Sequence, residues 1–510
     1  MSASATPSGG PRICVSIGRT RHKMMLVELR EAARQGAELI ELRLDFLARA
    51  PDLRRLLADK PCPLVVTVRR PQDGGRWSGT EEQRQMLLRQ AIVGGFDWVD
   101  LETDIADAIP RYKDVKRIIS YHNLREMPDD LEEIHARMCR QDPDVVKLAV
   151  RAQFPEDNLR ALNLIKASRT PTVAFCLGDM GTPSRVLCGV FGAPFTYAAF
   201  NKERGLAPGI LSFAEMRKVY RFSELTPATK VYGVVGDPVG HSLSPLIHNA
   251  AFRTLGMDCV YLPFRVPRGD LETMVKAFDR LPVQGYSVTI PHKEAAAALA
   301  QAADADVQLC RAANTLVRRS DGTFAAYNTD CSAAVDSLRG ALAKLEGAPG
   351  LAGRSVLLLG AGGVARAIAH GLQREGALIT IANRTTERAQ RLAEEVGCRY
   401  TEWPARHAVL SEILINGTSV GMHPNVDESP IHQSYLRPGL LVFDTVYTPE
   451  TTLLIKEARE RGCHVLTGVD MVIRQAAHQF RLFTGKEPPM ELMSNLVRRA
   501  LSPVALREEE

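Results

Sequence analysis

The chain has 510 residues, of which 45% are hydrophobic and 24% are charged, a composition typical of a soluble globular protein of roughly two to four domains. Its net charge of +5 is small for this length, and no block of Lys and Arg marks a nucleic-acid or membrane surface, so small molecules are the expected partners. The ten cysteines form no CxxC pair or metal-ligand pattern, and no run of about 18 apolar residues could span a membrane, so we expect a cytoplasmic protein without a metal site.

Short apolar runs alternate with helix-length amphipathic segments over residues 11–222. Eight runs predict strands: "RICVSIG", "LIELRLD", "PLVVTVR", "DWVDLE", "RIISYH", "VVKLAV", "PTVAFCLG" and "FTYAAF". Eight β/α units in this length predict a (β/α)8 barrel, with a doubly wound open sheet as the alternative.

The polar stretch "SELTPAT" separates this half from a second β/α series that begins at "KVYGVVGDPVG". A further break at "AKLEGAPGLAG" precedes "SVLLLGAGGVARAIAHGL", which predicts a Rossmann unit. The predicted organisation is a tail (1–10), a barrel (11–222), a linker (223–229), a second α/β domain (230–340, completed by 470–502), a Rossmann domain (351–469) and a tail (503–510).

Five successive predicted strands carry ionisable residues near their carboxyl ends, where barrel enzymes build active sites. Because side chains alternate along a strand, the residues that share a lumen-facing side are Glu41, Arg43 and Asp45; Thr67 and Arg69; Asp100 and Glu102; Ser120 and His122; and Lys147. A charge at a strand end is usually only solvated, but Lys147 lies inside an apolar run, where an unpaired ammonium is costly.

The position of Lys147 in "PDVVKLAV" indicates chemistry. A lysine surrounded by cations and apolar walls has a lowered pKa, because both disfavour the ammonium. A neutral amine can attack a ketone and form a Schiff base, whose iminium acidifies the adjacent C–H. His122 is a suitable base for that proton.

In this order, "ELRLD", "VTVR", "ISYH", "VVKLAV" and "GTPSRVLCGVFGAPFTYA" resemble type I 3-dehydroquinate dehydratase over residues 11–222. The resemblance implies that Lys147 is the Schiff-base lysine, that His122 is the general acid/base and that Glu102 orients it. It also implies substrate contacts by Glu41, Arg43, Arg69 and Arg185.

The segment "GLAPGIL" departs from this family. Leu206 and Ile210 stand where the lid loop of the family commonly has a Ser and a Gln. The departure bears on substrate affinity more than on the Schiff-base chemistry.

The second half offers a different set of polar groups. In "SLSP", Ser242 and Ser244 lie at a predicted helix start, where they are either cap residues or a carboxylate site. Lys293, in the first turn of the helix after "SVTIPHK", opposes the helix dipole, and this misfit indicates function. With Asn314 and Asp330, from "AANTL" and "YNTDC", it could polarise a carbonyl and manage a proton.

"VLLLGAGGVARAIAHGL" predicts a strand, a glycine-rich turn and a helix, the context of a dinucleotide fingerprint. The turn residues are Gly360, Gly362, Gly363 and Ala365. The next strand ends in Asn383, Arg384 and Thr385 rather than in an acidic residue, which favours NADP over NAD because a guanidinium suits a 2′-phosphate. The alternative is an ordinary surface arginine.

Together, "SLSP", "SVTIPHK", "ANT", "NTD", "GAGGVARA", "NRT", "NGTSVGM", "DTVYTPETTLL" and "GVDMVIRQAAHQF" resemble shikimate dehydrogenase over residues 230–500, a two-domain α/β dehydrogenase. The resemblance implies that Lys293 and Asp330 are the catalytic pair. It implies that the substrate carboxylate is held by Ser242, Ser244 and Tyr447, and the ring hydroxyls by Thr289, Asn314 and Gln475. It also implies that the cofactor side is lined by Asn416, Thr418 and Met422.

The whole chain thus resembles the bifunctional family that joins these enzymes. The resemblance implies imine-forming dehydration of 3-dehydroquinate followed by NADPH-dependent reduction to shikimate, with the oligomeric state left open. Quinate oxidation is one alternative, although the two serines of "SLSP" favour shikimate. A non-catalytic binding protein is the other, and the presence of Lys147, His122, Lys293 and Asp330 argues against it.

Overall fold

The computed structural model describes residues 10–346 and 350–501. The predicted tails at 1–10 and 503–510 lie outside the described residues, apart from Gly10. The chain divides into two compact units. The first comprises Met1–Gly233, Asp237–Gly240 and Asp258–Val283, and the second comprises Val234–Gly236, His241–Met257 and Gln284–Glu510.

The first unit contains a near-closed barrel of eight parallel strands. These are β1 (Arg12–Ile17), β2 (Leu39–Arg43), β3 (Leu64–Thr67), β4 (Trp98–Glu102), β5 (Lys116–Asn123), β6 (Val145–Arg151), β7 (Thr172–Leu177) and β8 (Phe195–Ala199). Neighbours follow the order β7-β6-β5-β4-β3-β2-β1-β8, so each strand from β2 to β7 is added beside the one before it, and β8 pairs with β1. The predicted barrel is confirmed, and the open sheet, whose strand order would reverse at a switch point, is wrong.

The helices of this barrel follow the sequence pattern that predicted them. They are α1 (His22–Arg34), α2 (Leu53–Leu57), α3 (Glu81–Gly94), α4 (Leu131–Cys139), α5 (Asp157–Ala167) and α6 (Thr182–Leu187). Thr80 and Gln83 form a capping box at the start of α3. Leu87, Leu88 and Ala91 lie on the buried face of this helix, as the helical period requires.

Strand register brings the predicted catalytic residues to one lumen. The first six residues of β6 are buried, and Lys147 points inward, with Nζ 3.9 Å from the ring centroid of Tyr197 on β8. Ser120 on β5 is registered opposite Lys147, and His122 follows two residues later. Since alternate residues of a strand share a face, β5 and β6 deliver His122 and Lys147 to the same side of the sheet.

The chain continues through alternating strands and helices. These are β9 (Lys230–Gly236), α7 (Ser244–Thr254), β10 (Cys259–Arg265), α8 (Leu271–Ala277), β11 (Val283–Val288), α9 (Lys293–Leu299), β12 (Ala302–Ala303), α10 (Ala305–Cys310), β13 (Thr315–Arg318), β14 (Phe324–Tyr327) and α11 (Thr329–Glu346). In the second unit β13 pairs antiparallel with both β11 and β14, and β12 pairs parallel with β14.

The second unit also contains a six-stranded parallel sheet. Its elements are β15 (Ser355–Leu359), α12 (Gly363–Arg374), β16 (Leu378–Asn383), α13 (Thr386–Val396), β17 (Arg399–Glu402), β18 (Ile413–Asn416), β19 (Leu441–Asp444), α14 (Leu453–Glu460) and β20 (His464–Leu466), followed by α15 (Gly468–Thr484) and α16 (Met490–Leu501). The strand order is β17-β16-β15-β18-β19-β20, which reverses direction at β15, so the predicted Rossmann topology is confirmed.

Both faces of this sheet are covered, as the unbroken apolar run of β15 predicts. Val356 and Leu358 join one buried cluster with residues of α11, α12 and α13. Leu357 and Leu359 join another with residues of α14. No helix within the described ranges is long and apolar enough to cross a membrane.

Candidate active sites

Lys147 lies in the barrel lumen between carboxylates and an aromatic ring. Its side chain is 6% exposed, and Nζ donates a 3.0 Å hydrogen bond to Asp100 Oδ2. Glu41 Oε1 lies 3.7 Å from Nζ, and the ring of Tyr197 covers it at 3.9 Å. The expectation that cations and apolar walls surround this lysine is wrong, because two carboxylates face it. These ion pairs allow the charged amine to be buried.

A network of buried arginines and carboxylates holds the lysine's partner. Arg69 places Nη2 2.8 Å from Asp100 Oδ2 and Nη1 2.8 Å from Glu102 Oε1. Arg84 of α3 donates to the other Glu102 oxygen at 2.6 Å. Burial raises the pKa of Asp100, but Arg69 and Lys147 outweigh it and hold that pKa well below its ordinary value, so the carboxylate stays charged.

His122 contributes a neutral imidazole to the same lumen. Burial lowers the pKa of His122, and the positive charges of Arg69 and Lys147 lower it further. Its Nδ1 is buried and has no hydrogen-bond partner among the described residues. Among the described residues Glu102 accepts hydrogen bonds from Arg69 and Arg84, and the expected contact from Glu102 to this ring is not made.

Glu41 and Arg43 on β2 are held in place by their neighbours. Glu41 accepts hydrogen bonds from Ser16 Oγ at 2.6 Å and from Thr67 Oγ1 at 2.8 Å. Arg43 donates to both carboxylate oxygens of Asp45, at 2.9 and 2.8 Å. These hydrogen bonds hold the side chains of Glu41 and Arg43 in fixed positions.

Arg185 is a buried cation without a carboxylate partner in the described part of the chain. It lies on α6 with its guanidinium carbon 4.4 Å from the ring centroid of Phe175, and its Nε and Nη2 are buried without a hydrogen-bond acceptor. Burial lowers the pKa of Arg185 to about 10, so the group is still charged at neutral pH. An unpaired buried guanidinium suits a carboxylate ligand, which could accept from both nitrogens.

The loop at 201–210 carries the predicted departure from a polar lid. A Cβ added to Gly18 would lie 3.1 Å from Leu206 Cδ2 and 2.9 Å from Phe46 Cγ, so Leu206 packs at the end of β1. Ile210 is half-buried in the same loop. Both positions present apolar side chains.

Three lumen residues were not among the predicted site residues: Asp100, Arg84 and Tyr197. The alternation of Asp100 with Glu102 in "VDLE" predicted that Asp100 faces the lumen but gave it no role. Arg84 lies within a helix and Tyr197 within an apolar strand, and nothing in their local sequence distinguishes them from ordinary structural residues.

In the second unit, Lys293 and Asp330 form an ion pair with Nζ 2.6 Å from Oδ2. Lys293 begins α9, and Asp330 lies in the first turn of α11. The other oxygen of Asp330 accepts a 2.9 Å hydrogen bond from Asn314 Nδ2. The Lys293 side chain is 19% exposed and that of Asp330 only 5%, so the pair is accessible from the lysine side.

Asn314 uses its side chain to hold the start of α11. Its Oδ1 accepts from Thr329 N at 2.9 Å, while Nδ2 bonds Asp330. Gln479 of α15, which was not predicted, donates to the Asn314 carbonyl and to Thr315 Oγ1, each at 3.1 Å. Asn314 is therefore placed to position Asp330.

The other predicted substrate residues form a looser set. Ser242 Oγ accepts a 3.2 Å hydrogen bond from Ser244 N, so it acts as a cap-like acceptor at the start of α7. Thr289 is half-buried after β11, and Tyr447 is 38% exposed. Within the described residues, no side-chain hydrogen bond joins Tyr447 or Gln475 to the Lys293–Asp330 pair.

The glycine-rich turn between β15 and α12 has the geometry that a pyrophosphate site requires. Gly360 has φ +112°, and a Cβ there would lie 2.8 Å from the Gly417 carbonyl oxygen. Cβ atoms added to Gly362 or Gly363 would meet nothing within 4 Å, which leaves space beside the helix N-terminus. Ala365 is fully buried and packs closely against Gly417, where an added Cβ would lie 3.0 Å from that of Ala365. These residues fit a bound dinucleotide.

The end of β16 presents the residues predicted to contact a 2′-phosphate. Asn383 Nδ2 donates a 2.9 Å hydrogen bond to the Thr385 carbonyl, which fixes the turn. Arg384 and Thr385 are exposed, so both side chains are accessible to a ligand.

A buried carboxylate anchors the loop that begins at Asn416. Asp444 Oδ1 accepts from Asn416 Nδ2 at 3.0 Å, and Oδ2 accepts from Thr452 Oγ1 at 2.6 Å. Asn416 Oδ1 in turn accepts from Thr418 N and Oγ1. Asn416 is fully buried, whereas Met422 is 47% exposed, so Met422 is accessible to a ligand and Asn416 holds the loop. Burial raises the pKa of Asp444 to about 6.

Four family models match stretches of the chain. Type I 3-dehydroquinase covers residues 13–227, and the shikimate dehydrogenase substrate binding domain covers 234–316. Shikimate/quinate 5-dehydrogenase covers 341–438, and the shikimate 5′-dehydrogenase C-terminal domain covers 468–498. Among the described residues, no group of three or more His, Cys, Asp or Glu side chains could hold a metal ion.

Relatives match both the whole chain and its second half. The chain is 36% identical over 503 residues to the chloroplastic bifunctional 3-dehydroquinate dehydratase/shikimate dehydrogenase of Arabidopsis thaliana, covering 94% of this chain and 83% of that protein. It is 41% identical over 291 residues to the shikimate dehydrogenase (NADP(+)) of Methanothermobacter thermautotrophicus, covering 54% of this chain and 99% of that protein. A crystal structure of a shikimate dehydrogenase in complex with NADP+ matches with a TM-score of 0.51 at 35% identity, covering 55% of this chain and 98% of that one.

Proposed function

The chain belongs to the family of bifunctional 3-dehydroquinate dehydratase/shikimate dehydrogenases, and on that premise we propose which residues carry out its two reactions. One half dehydrates 3-dehydroquinate to 3-dehydroshikimate, and the other reduces that product to shikimate with NADPH. We assign the first to residues 11–222 and the second to residues 230–502, joined by the linker 223–229.

The dehydration proceeds through an imine on Lys147. The Nζ ammonium first gives a proton to the neutral His122, and the freed amine adds to the ketone carbon of the substrate. The hydroxyl of that adduct takes the proton back from His122 and leaves as water, which gives an iminium and neutral His122. His122, neutral because its pKa is lowered, takes a proton from the adjacent carbon and returns it to the departing hydroxyl, which leaves as water. Hydrolysis of the imine regenerates the amine and releases the product.

The surrounding charges bind the substrate and hold the amine. Asp100, kept ionised by Arg69 and Lys147, fixes Nζ 3.0 Å from its own oxygen. Arg185 binds the substrate carboxylate through the two nitrogens that lack an acceptor. The observation that carries the assignment is a buried lysine beside a neutral histidine in one lumen with an unpaired guanidinium.

Glu41, Arg43 and Arg69 complete the proposed substrate contacts of the barrel. Glu41 and Arg43 have fixed side chains that can bond substrate hydroxyls. Glu102 acts indirectly, through Arg69, since it bonds Arg69 and Arg84 rather than His122. We therefore propose Glu102 as a positioning residue for Arg69.

The reduction is carried out at the Lys293–Asp330 pair. NADPH, when bound, supplies a hydride to the carbonyl carbon. Lys293 holds a proton at Nζ, 2.6 Å from Asp330, and delivers it to the carbonyl oxygen. Asn314 holds Asp330 in place, Thr289 and Gln475 bind ring hydroxyls, and the substrate carboxylate is bound by Ser242, Ser244 and Tyr447.

The residues present fit NADP. The proposed pyrophosphate site is the turn formed by Gly360, Gly362, Gly363 and Ala365. Arg384 would hold the 2′-phosphate, with Asn383 and Thr385 shaping its turn. Met422 faces the cofactor side, with Asn416 and Thr418 as the anchors of its loop.

A sequential assay tests the two activities. Purified protein given 3-dehydroquinate alone is expected to form a conjugated enone, seen by ultraviolet absorbance, and to consume NADPH when that is added. Consumption of NADPH only when 3-dehydroshikimate is supplied would contradict the proposed dehydratase. Comparing shikimate with quinate as substrates for NADP+ reduction tests the predicted preference for shikimate.

We further propose a cytoplasmic location. All ten cysteines lie in the described part of the chain, and none forms a disulfide there, which fits a reducing compartment. The Arabidopsis relative is chloroplastic, so the relatives do not decide this point. Cell fractionation with the NADP-dependent assay tests it.

A further inference from the structure

Tyr197 presents two features that the proposed chemistry does not use. Its ring centroid lies 3.9 Å from Lys147 Nζ, the atom that would carry the iminium. Its hydroxyl is buried and has no hydrogen-bond partner among the described residues. Buried hydroxyls are normally bonded, so one left unbonded beside a reactive amine indicates a ligand that supplies the partner.

The surroundings of Tyr197 keep its hydroxyl a donor. Burial raises the pKa of Tyr197 well above its usual value, and Cys14 and Glu41 raise it further, so the group stays protonated at any working pH. The Lys147 ammonium stands over the ring face rather than at the hydroxyl, and therefore does not bond the oxygen.

Packing fixes the ring rigidly. The ring of Phe195 meets it edge-on at 5.7 Å between centroids, and that of Phe175 lies 6.1 Å away. Phe175 in turn lies under the guanidinium of Arg185. Two aromatic rings, tilted against each other, thus line the space between the proposed carboxylate-binding arginine and the proposed imine-forming lysine.

We propose that Tyr197 is a further catalytic residue of the dehydratase site: its ring stabilises the cationic nitrogen of Lys147, and its hydroxyl donates a hydrogen bond to the bound substrate. A cation over a desolvated aromatic face is attracted to the ring, and an iminium at the same atom keeps that positive charge. The proposal rests on the proposed imine mechanism and adds a residue to it.

Two substitutions separate the two roles. Tyr197→Phe keeps the ring and removes the hydroxyl, so KM for 3-dehydroquinate is expected to rise about 10-fold while kcat stays within about twofold. Tyr197→Leu also removes the ring, so kcat is expected to fall about 10-fold below that of Tyr197→Phe, with less adduct trapped by borohydride. Tyr220→Phe, a buried tyrosine in the helical turn after β8, is the matched control and should change neither constant.

The urea unfolding transition of each variant, compared with that of the wild-type chain, reports its folding. An unchanged KM in Tyr197→Phe would overturn the role of the hydroxyl, and a kcat in Tyr197→Leu equal to that of Tyr197→Phe would overturn the role of the ring. A wild-type protein that reduces 3-dehydroshikimate but neither dehydrates 3-dehydroquinate nor forms a trapped adduct would overturn the proposed function itself. That result can be told apart from a failure of the Tyr197 proposal, because it is seen with the wild-type protein before any variant is made.

Discussion

Lys147 Nζ donates a 3.0 Å hydrogen bond to Asp100 Oδ2, the same carboxylate oxygen that lies 2.8 Å from Arg69 Nη2. One buried carboxylate therefore holds two cations, one from β6 and one from the segment that follows β3. This relationship explains how a lysine can occupy the middle of an apolar strand, and it fixes the amine in the position where a substrate ketone can meet it.

Asp100→Asn should impair the dehydratase by at least about 100-fold in kcat, because misplacing a reacting group by about 1 Å costs that much. The loss of a buried charge partner should also lower the free energy of unfolding by about 3 kcal/mol. Kinetics and urea unfolding measure both. Asp97→Asn is the control, since Asp97 pairs with Lys60 just before β4; a variant of Asp100 that behaves like it would contradict this role.

The lowered pKa of His122 makes a prediction for the pH profile. Because the histidine must be neutral to take a proton, and its folded pKa lies below the ordinary value near 6.5, the base form persists as pH falls through 6.5. A plot of kcat/KM for 3-dehydroquinate against pH should therefore stay level there and decline only at lower pH. A half-loss of kcat/KM centred near pH 6.5 would show an unperturbed histidine.

The two lysines should be separable by substitution. Lys293→Met removes the proton donor of the reduction, so shikimate oxidation by NADP+ should fall about 1,000-fold while dehydration stays unchanged. Lys147→Met should abolish the dehydration of 3-dehydroquinate and leave shikimate oxidation unchanged. Each variant is the control for the other, and loss of both activities in either one would mean that the assignment of one lysine to one reaction is wrong.

Arg384→Glu should raise KM for NADP+ by about 10- to 100-fold and change KM for NAD+ much less, because it replaces a phosphate partner with a repelling carboxylate. Steady-state kinetics with both cofactors measure the ratio. Arg399→Glu, at an exposed position at the start of β17 and so at the opposite end of the sheet from Arg384, makes the same charge change and should leave the ratio unaltered. Equal effects on both cofactors would contradict the contact with the 2′-phosphate.

The eight β/α units were enough to predict the barrel, and the alternation of residues along each strand predicted most of the side chains that face its lumen. The run around Lys147 and the "GAGG" turn at Gly360 indicated their positions directly. A buried charge shows as a lysine within an apolar run, and a positive φ shows as a glycine. Side chains that reach the site from distant segments of the chain have no such signal in their local sequence. Arg84 reaches Glu102 from a helix, and Gln479 reaches Asn314 from another part of the chain, so only the fold shows them.

Glu102 illustrates the limit of a role transferred by resemblance. It lies on the predicted lumen face, but among the described residues its oxygens bond Arg69 and Arg84 rather than His122. Which of several lumen groups a carboxylate bonds depends on distances of about 3 Å, and strand alternation fixes only the face.

The most direct test of the account is to trap the imine. The protein is mixed with 3-dehydroquinate, reduced with borohydride and digested, and the modified residue is located by mass spectrometry. The account predicts a single reduced adduct on Lys147, lost in Lys147→Met and retained in Lys293→Met. No adduct from a protein that still oxidises shikimate with NADP+, or an adduct on another lysine, would contradict it.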